Sequence, residues 1–455
     1  MKTVCIQGLG FVGSAMSIAV AMAKDDKNKP LYEVIGIDLP NEQGKKRVQA
    51  INEGIFPFPT EDDFLLDSFK EVYKSGNIQA TTNENEFQRA DVIIVDINLD
   101  IPYLDNEPEL QLDSLKNAIK SIGQSTSEDT LILIETTVPP GTCEKIIEPT
   151  LREELKKRKI DEETIHLAHS YERVMPGKNY LKSIIEYPRV FSGYTEKASK
   201  VCREFLESII KVDQFPLTEL ESTTASETAK VLENTYRAVN IAFIDEWTKY
   251  AEAVGIDLFE VINAINVRDT HSNIRFPGLG VGGYCLTKDP TFTPAATKEL
   301  FGLDLEFPFS KLAVKTNNAM PLHTIARLKA ILDEEVEGKK ILIFGITYRQ
   351  DVGDTRYSAS KILVNHLVQQ GAKVTCHDPY LRFWEEMKLD VCNDYPDLST
   401  YDAVVLAVGH SEYKIKGLDY WGKSKLLLDA NMVLTSDDIK HLKNNNVQVT
   451  SVGRG

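Results

Sequence analysis

The stretch from Lys2 to Asp38 limits the fold of this chain more tightly than any other. Lys2–Gln7 is a short apolar strand, and Gly8, Leu9, Gly10, Phe11, Val12 and Gly13 follow it. An alanine-rich helical run covers residues 14–24, and a second strand, residues 34–38, ends in Asp38. GxGxxG between a strand and a helix is a dinucleotide-binding turn in the context it requires. Gly8 and Gly10 permit the turn and close approach of a pyrophosphate; Gly13 lets helix and strand pack. The N–H groups at the helix start then face the phosphates, and Phe11 and Val12 belong to the same cofactor-binding turn. Asp38 is placed to accept hydrogen bonds from an adenosine ribose, and its charge repels a 2′-phosphate. With no Arg directly after it, the pattern predicts NAD rather than NADP.

Further strands are expected over residues 92–96, 131–134 and 165–168, with helices between them over 112–123 and 143–158. Alternation of this kind predicts a parallel, doubly wound sheet whose ligands lie at the carboxyl ends of its strands. Two polar turns fall at such ends: ETTVPPGT, which carries Thr136 and Thr137, and HSYERVMPG, which carries Glu172 and Arg173. His166 and His169 have an HxxH spacing, but in a strand they point to opposite faces, so no metal is expected. Residues 221–254 hold neither Gly nor Pro and repeat apolar positions at helical intervals, which predicts one long spine helix or two with a slight break. Lys230 and Asn234 share one face of it. After a helix at 258–266 and two connecting helices at 309–318 and 322–332, a second Rossmann-like half begins near Gly338. Its strands are expected at 341–345, 374–378, 404–408 and 426–429, with a helix at 358–370 and, over 447–455, a last strand with a frayed end. No GxGxxG follows Gly345, so the second half has a related fold with different ligand chemistry.

At 455 residues, two or three domains are expected. A net charge of −16 argues against nucleic acid or an anionic membrane as general partners. No apolar run approaches a membrane span, and the strand at Lys2 leaves no room for a signal peptide. The six cysteines are scattered with no CxxC pair, which suggests a reducing cytoplasm.

Residues 276–290, FPGLGVGGYCLTKDP, put five Gly or Pro residues into the seven positions 277–283, directly before Cys285, Lys288 and Asp289. Such a turn shapes backbone around a ligand. A cysteine beside an ammonium or a cluster of N–H groups is favoured as the nucleophilic thiolate. From the loop alone, a surface turn before an ordinary packing cysteine is the competing reading.

Taken together, GLGFVG, ETTVPPGT, YERVMPG, ETAKVLENTYRAVNIAFIDEW, GLGVGGYCLTKDP and FGITYRQDVGDTRYS resemble, in order and spacing, the UDP-glucose/GDP-mannose dehydrogenase family over essentially the whole chain. The resemblance implies an α/β fold of two Rossmann-like doubly wound domains joined by a helical domain with the spine helix. Its divisions fall at 1–212 (NAD binding), 213–325 (helical, dimer-forming, carrying the cysteine loop) and 326–455 (nucleotide-sugar binding). It also implies oxidation of a sugar C6 hydroxyl to a carboxylate with two NAD and one water. In that scheme Cys285 is the nucleophile, Lys230 and Asn234 stabilise an oxyanion, and Glu172 and Asp289 handle protons and the hydrolytic water. Thr137 positions a water or the nicotinamide side, and Thr136 belongs to the cofactor site. Nucleotide-sugar contacts are implied at Arg173, Gly280, Gly282, Gly283, Tyr284, Lys288, Arg349 and Arg356. The chemistry suits the residues: an aldehyde yields no second hydride until a nucleophile makes it tetrahedral.

The chain departs from the family in four places. Tyr171 stands where a proline precedes the glutamate, and Asp96-Ile97-Asn98 replaces a Val-x-Thr-Pro-like turn. Arg349 replaces lysine, and an inter-subunit arginine has no clear match near Arg268, His271 and Arg275. ERVMPG and GVGGYC lean towards UDP-N-acetylhexosamines, while Lys288-Asp289 is common in the UDP-glucose branch; GDP-mannose ranks last. Two other classes compete. A one-step β-hydroxyacid dehydrogenase would need neither Cys285 nor the C-terminal domain, and a non-catalytic nucleotide-sugar sensor would make no NADH.

Overall fold

The computed structural model describes residues 1–99, 103, 104, 107–174 and 176–455; Met175, within the ERVMPG turn, lies outside them. They gather into two compact units, Met1–Glu233 with Thr291–Glu306 and Asn234–Pro290 with Phe307–Gly455.

The first unit is built on an eight-stranded sheet. Its strands are β1 (Lys2–Gln7), β2 (Tyr32–Ile37), β3 (Ile78–Thr81), β4 (Val92–Val95), β5 (Leu131–Ile134), β6 (His166–His169), β7 (Arg189–Gly193) and β8 (Leu217–Glu219), in spatial order β8-β7-β6-β5-β4-β1-β2-β3. VIIV of β4 and LILI of β5 are buried at every residue, as parallel strands covered on both faces must be. One junction departs from the all-parallel expectation: β6 and β7 run antiparallel, with Ala168 opposite Gly193 and His169 opposite Ser192. A parallel return needs a crossover, usually a full helix. The segment between them offers only the single turn Lys182–Ile185.

Helix α1 (Phe11–Ala21) opens three residues earlier than expected and so takes Gly13 into its first turn. Residues 143–158 are helical as expected, as a wide π turn over Cys143–Ile147 that runs into α2 (Glu148–Arg158). Thr223–Val254 forms one unbroken helix, α3; its residues through Glu233 belong to the first unit and the rest to the second.

The second unit continues with α4 (Leu258–Asn266), α5 (Tyr284–Lys288) and α6 (Pro308–Ile331). A single helix, α6, replaces the two connecting helices expected, and Pro321 lies inside it. A proline in mid-helix frees the carbonyl four residues back, here that of Asn317. Gly280 packs against that oxygen, where a Cβ would come within 3.3 Å.

A five-stranded parallel sheet follows: β9 (Lys340–Phe344), β10 (Lys373–His377), β11 (Ala403–Leu406), β12 (Leu426–Asp429) and β13 (Gln448–Ser451), in order β10-β9-β11-β12-β13. Helix α7 (Ala359–Gln369) is capped by the Ser358 hydroxyl. The chain end is clasped rather than frayed. Gly453 donates its N–H to Glu252 at 2.7 Å, Arg454 pairs with Asp257 at 2.9 Å, and Leu258 N–H donates to the Gly453 carbonyl at 3.0 Å. Among the described residues no helix is long and apolar enough to cross a membrane.

Candidate active site

In the first unit the glycine turn leaves β1. A Cβ on Gly13 would fall 1.9 Å from the Gly8 carbonyl oxygen, so only glycine lets α1 lie this close to the turn. A Cβ on Gly10 would meet nothing within 4 Å, and Gly10, at the N-cap of α1, brings no side-chain cap. The first turn of α1 holds no acid. Phe11 and Val12 are half-buried, and the Phe11 ring stacks on Phe58 at 4.1 Å. These features fit a pyrophosphate, because open space coincides with the N-terminus of a helix. Asp38 follows β2 and is buried, and it carries a partner the sequence reading missed. Arg47, from the helix Glu42–Asn52, donates Nε to Oδ2 at 2.7 Å and Nη2 to Oδ1 at 3.1 Å. Nine residues of separation hid that pair from a search of the next position.

The turn after β5 holds Thr136 and Thr137. The Thr136 hydroxyl is engaged with the turn after β4: it accepts from Ile97 N–H at 2.9 Å and lies 3.0 Å from the Val95 and Ile97 carbonyls. Thr137 is half-buried. Behind them Glu135 and Arg189 are buried and Asp96 is half-buried, with Arg189 donating to Glu135. Burial and then the adjacent Glu135 push the Asp96 carboxyl well up, and burial also raises that of Glu135.

Lys230 Nζ donates to the backbone carbonyl of Glu172 at 2.7 Å and lies 3.8 Å from its carboxylate. The same ammonium sits over the Tyr171 ring at 5.2 Å, where a cation gains from the ring face. Arg173 stacks over that ring at 5.3 Å and pairs with Glu233 at 3.2 Å. Tyr171 therefore supports both cations from beneath. His169 is fully buried with Nδ1 2.7 Å from Ser226; burial and then Lys230 lower its pKa to about 3, leaving it neutral.

In the second unit the cysteine turn is held on two sides. Asn317 of α6 accepts from Val281 N–H at 2.8 Å and donates to its carbonyl at 2.7 Å. Gly283 N–H donates to the Arg356 carbonyl at 3.2 Å. Gly282 and Gly283 are required: a Cβ would lie 2.4 Å from the Tyr357 carbonyl at the first and 2.9 Å from the Tyr348 ring at the second. Cys285, second residue of α5, is exposed. Next to it a buried chain runs Lys288 Nζ to Asp289 Oδ1 at 2.8 Å and Asn234 Nδ2 to Asp289 Oδ2 at 2.7 Å. Arg356 donates Nε and Nη2 to Asp354 and lies 4.9 Å over the Tyr284 ring. Arg349 is exposed on the same turn. Burial pushes the Tyr348 hydroxyl up to about 12.

The structure thus gathers Cys285, Lys288, Asp289, Asn234, Gly280, Gly282, Gly283, Tyr284 and Arg356 in one unit. In the other it gathers Glu172, Arg173 and Lys230, together with the turns of Gly8, Gly10 and Gly13 and of Thr136 and Thr137. Sequence reasoning missed Arg47, Asn317, Tyr348 and Glu227. None of them left a signal in composition or periodicity, since Glu227, in the alanine-rich opening of α3, reads as a solvated acid.

Three models of one family match the chain: the UDP-glucose/GDP-mannose dehydrogenase NAD binding domain over residues 2–211, the central domain over 224–319, and the UDP binding domain over 342–436. A UDP-N-acetyl-D-mannosamine dehydrogenase of Methanocaldococcus jannaschii is 32% identical over 96% of this chain and 93% of its own. The solved UDP-D-ManNAc dehydrogenase of Pyrococcus horikoshii matches with a TM-score of 0.81 at 26% identity, covering 100% of this chain and 99% of that one. An NDP-N-acetyl-D-galactosaminuronic acid dehydrogenase structure from Methanosarcina mazei gives 0.80 at 25% identity, covering 100% and 95%. The chain belongs to the UDP-glucose/GDP-mannose dehydrogenase family and is an NAD-dependent nucleotide-sugar dehydrogenase.

Proposed function

We propose that this enzyme oxidises the C6 hydroxyl of a UDP-N-acetylhexosamine to a carboxylate through a thioester on Cys285. The observation that carries the reading is the exposed Cys285 on a clamped glycine turn, beside the buried Lys288–Asp289–Asn234 chain. The names of the relatives in Methanocaldococcus and Pyrococcus support the N-acetylhexosamine choice.

NAD, held at the glycine turn and Asp38, supplies the hydride acceptor for both oxidations. Glu172, or a water it holds, takes the hydroxyl proton as the first hydride leaves and the aldehyde forms. The Cys285 sulfur then adds to the aldehyde carbon and its thiol proton passes to a base. Lys230 and Asn234 supply donors where the oxyanion develops, commonly the largest catalytic contribution. Loss of a second hydride from that oxyanion leaves a thioester. A water oriented by Asp289 attacks it, the C–S bond breaks, and the Cys285 thiolate departs from the carboxylate product. In this reading residues 1–212 bind NAD, 213–325 carry the nucleophile and 326–455 hold the nucleotide, with Arg349 and Arg356 facing phosphate.

A homodimer belongs to the same reading. Tyr236, Phe243, Trp247, Tyr250 and Val254 are exposed at three- to seven-residue intervals along α3, a large apolar stripe for a lone chain to show water. Sedimentation of Trp247→Glu tests it, since a dimer equal to wild type would remove α3 from the interface. A thiol nucleophile also favours a reducing, cytoplasmic setting.

The decisive assay mixes enzyme and NAD with UDP-linked N-acetylmannosamine, N-acetylglucosamine and N-acetylgalactosamine, UDP-glucose and GDP-mannose, following NADH. Fastest turnover of an N-acetylated UDP-sugar is expected. Preference for UDP-glucose would overturn the substrate choice, and no NADH from any member would overturn the enzyme reading.

A further inference from the structure

Glu227 lies near the start of α3, where an acid in an alanine-rich run reads as a solvated residue, yet it is completely buried. Its Oε2 accepts the Gly141 N–H at 2.6 Å and its Oε1 accepts the Cys143 N–H at 2.7 Å. Those amides belong to the turn that leaves β5 with Thr136 and Thr137 and opens the helical run of residues 143–158. The first N–H groups of such a run have no partner within the helix, and an anion is favoured there. Among the described residues no salt bridge reaches Glu227, so amides rather than a cation hold its charge. Three residues further along α3, Lys230 Nζ is fixed on the Glu172 carbonyl at 2.7 Å. One side chain therefore ties the Thr137 turn to the helix that carries Lys230.

We propose that Glu227 is a positioning residue that sets Lys230 against the Thr137 turn, and that it does so only as the carboxylate. An ionised carboxylate has an acceptor oxygen for each amide. Once protonated, one oxygen becomes a donor facing another donor, and one N–H loses its partner. Burial pushes the Glu227 carboxyl up to about 7, against the Cys143 thiol and the backbone amides that pull it down, so the two forms exchange in the neutral range. The groups that face it hold their state there. The Cys143 thiol is pushed well up by burial and stays neutral, and His169, behind Ser226 on β6, is pushed down to about 3 and also stays neutral. Ser226 carries no charge, Lys230 lies one turn on, and Glu144 is at the surface beside Lys145. As pH rises through about 7 the turn locks and kcat rises, while the KM for NAD changes little.

The activity arm of the test rests on the proposed dehydrogenase reading; the structural arm does not. With no ligand present, the amide proton resonances of Gly141 and Cys143 in selectively labelled wild-type enzyme should titrate together with a midpoint near 7. Amides that stay still between about pH 5.5 and about 8.5 would overturn the proposal. In turnover, Glu227→Gln should lose about tenfold or more in kcat at alkaline pH and lose the rise through neutrality, since a charge-assisted pair of bonds is broken. Glu227→Asp should recover part of both. A Gln variant with wild-type kcat and pH profile would equally overturn it. If Gln fails to fold, the wild-type titration and the Asp variant decide. Titrating amides in an enzyme that makes no NADH from any nucleotide sugar would sink the dehydrogenase reading and leave the positioning intact.

Discussion

Gly10 and Gly13 occupy one motif, but the structure assigns them opposite costs, and Gly10→Ala against Gly13→Ala separates them. At Gly13 an added methyl would lie 1.9 Å from the Gly8 carbonyl oxygen and 3.3 Å from the Asp96 Cβ. The clash is with backbone, so α1 must move off β1. Overpacking of this kind costs about 1–3 kcal/mol, which for a unit of this size lowers Tm by roughly 2–4 °C per kcal/mol. At Gly10 the backbone is ordinary, φ −70 and ψ −166, and an added methyl would meet nothing within 4 Å. Alanine there should leave Tm equal or slightly raised, since it removes about 0.4–1 kcal/mol of unfolded-state entropy. Its methyl would nonetheless occupy the space into which the α1 N–H groups point. Calorimetry and NAD titration should therefore show Gly10→Ala with intact stability and NAD affinity weakened about tenfold or more, a loss of roughly 1.4 kcal/mol. Gly13→Ala should lose both. Wild-type NAD affinity in Gly10→Ala would mean the pyrophosphate lies elsewhere.

Two further substitutions address the ligands. Asp38→Ser should by itself raise the ratio of kcat/KM with NADP to that with NAD, because it frees the Arg47 guanidinium from Asp38 to meet a 2′-phosphate; an unchanged ratio would place ribose recognition elsewhere. Arg356→Ala removes a charge-assisted donor set worth about 1.5–3 kcal/mol, so the KM for the nucleotide sugar should rise by roughly one to two decades with kcat spared. A fall in kcat at constant KM would refute a binding role.

Much of this was legible in the chain, and the reasons are local. Leu131–Ile134 and Leu258–Asn266 were delimited correctly because each carries its own stop: a polar turn after the apolar run, and Asp257 capping Phe259 N–H. A run without Gly or Pro announced α3, but not that it is one unbroken helix rather than two with a slight break. The strands β3, β7 and β8 escaped notice because each is short and lies at or near the sheet edge, where the buried pattern thins to alternation or less. The antiparallel β6–β7 pair and the clasped tail depend on partners far along the chain, and no periodicity encodes those. Around the site, the glycine turn and the Cys285 loop announce themselves by composition. Arg47 on Asp38 and Glu227 under the Thr137 turn do not, because surface-type residues become ligands of their neighbours only once the chain has folded.

The account stands or falls on the covalent role of Cys285. The first hydride transfer needs NAD, an oriented alcohol and a proton acceptor; only the second needs the thiol. With the preferred nucleotide sugar limiting, NADH yield and product mass should be read together for wild type and Cys285→Ala. Wild type should give two NADH per sugar and the uronate. Cys285→Ala should bind both ligands, stop at one NADH or fewer, and leave an aldehyde that a carbonyl reagent traps. Two NADH and the carboxylate from Cys285→Ala at near wild-type rate would contradict the thioester route and require direct oxidation of an aldehyde hydrate.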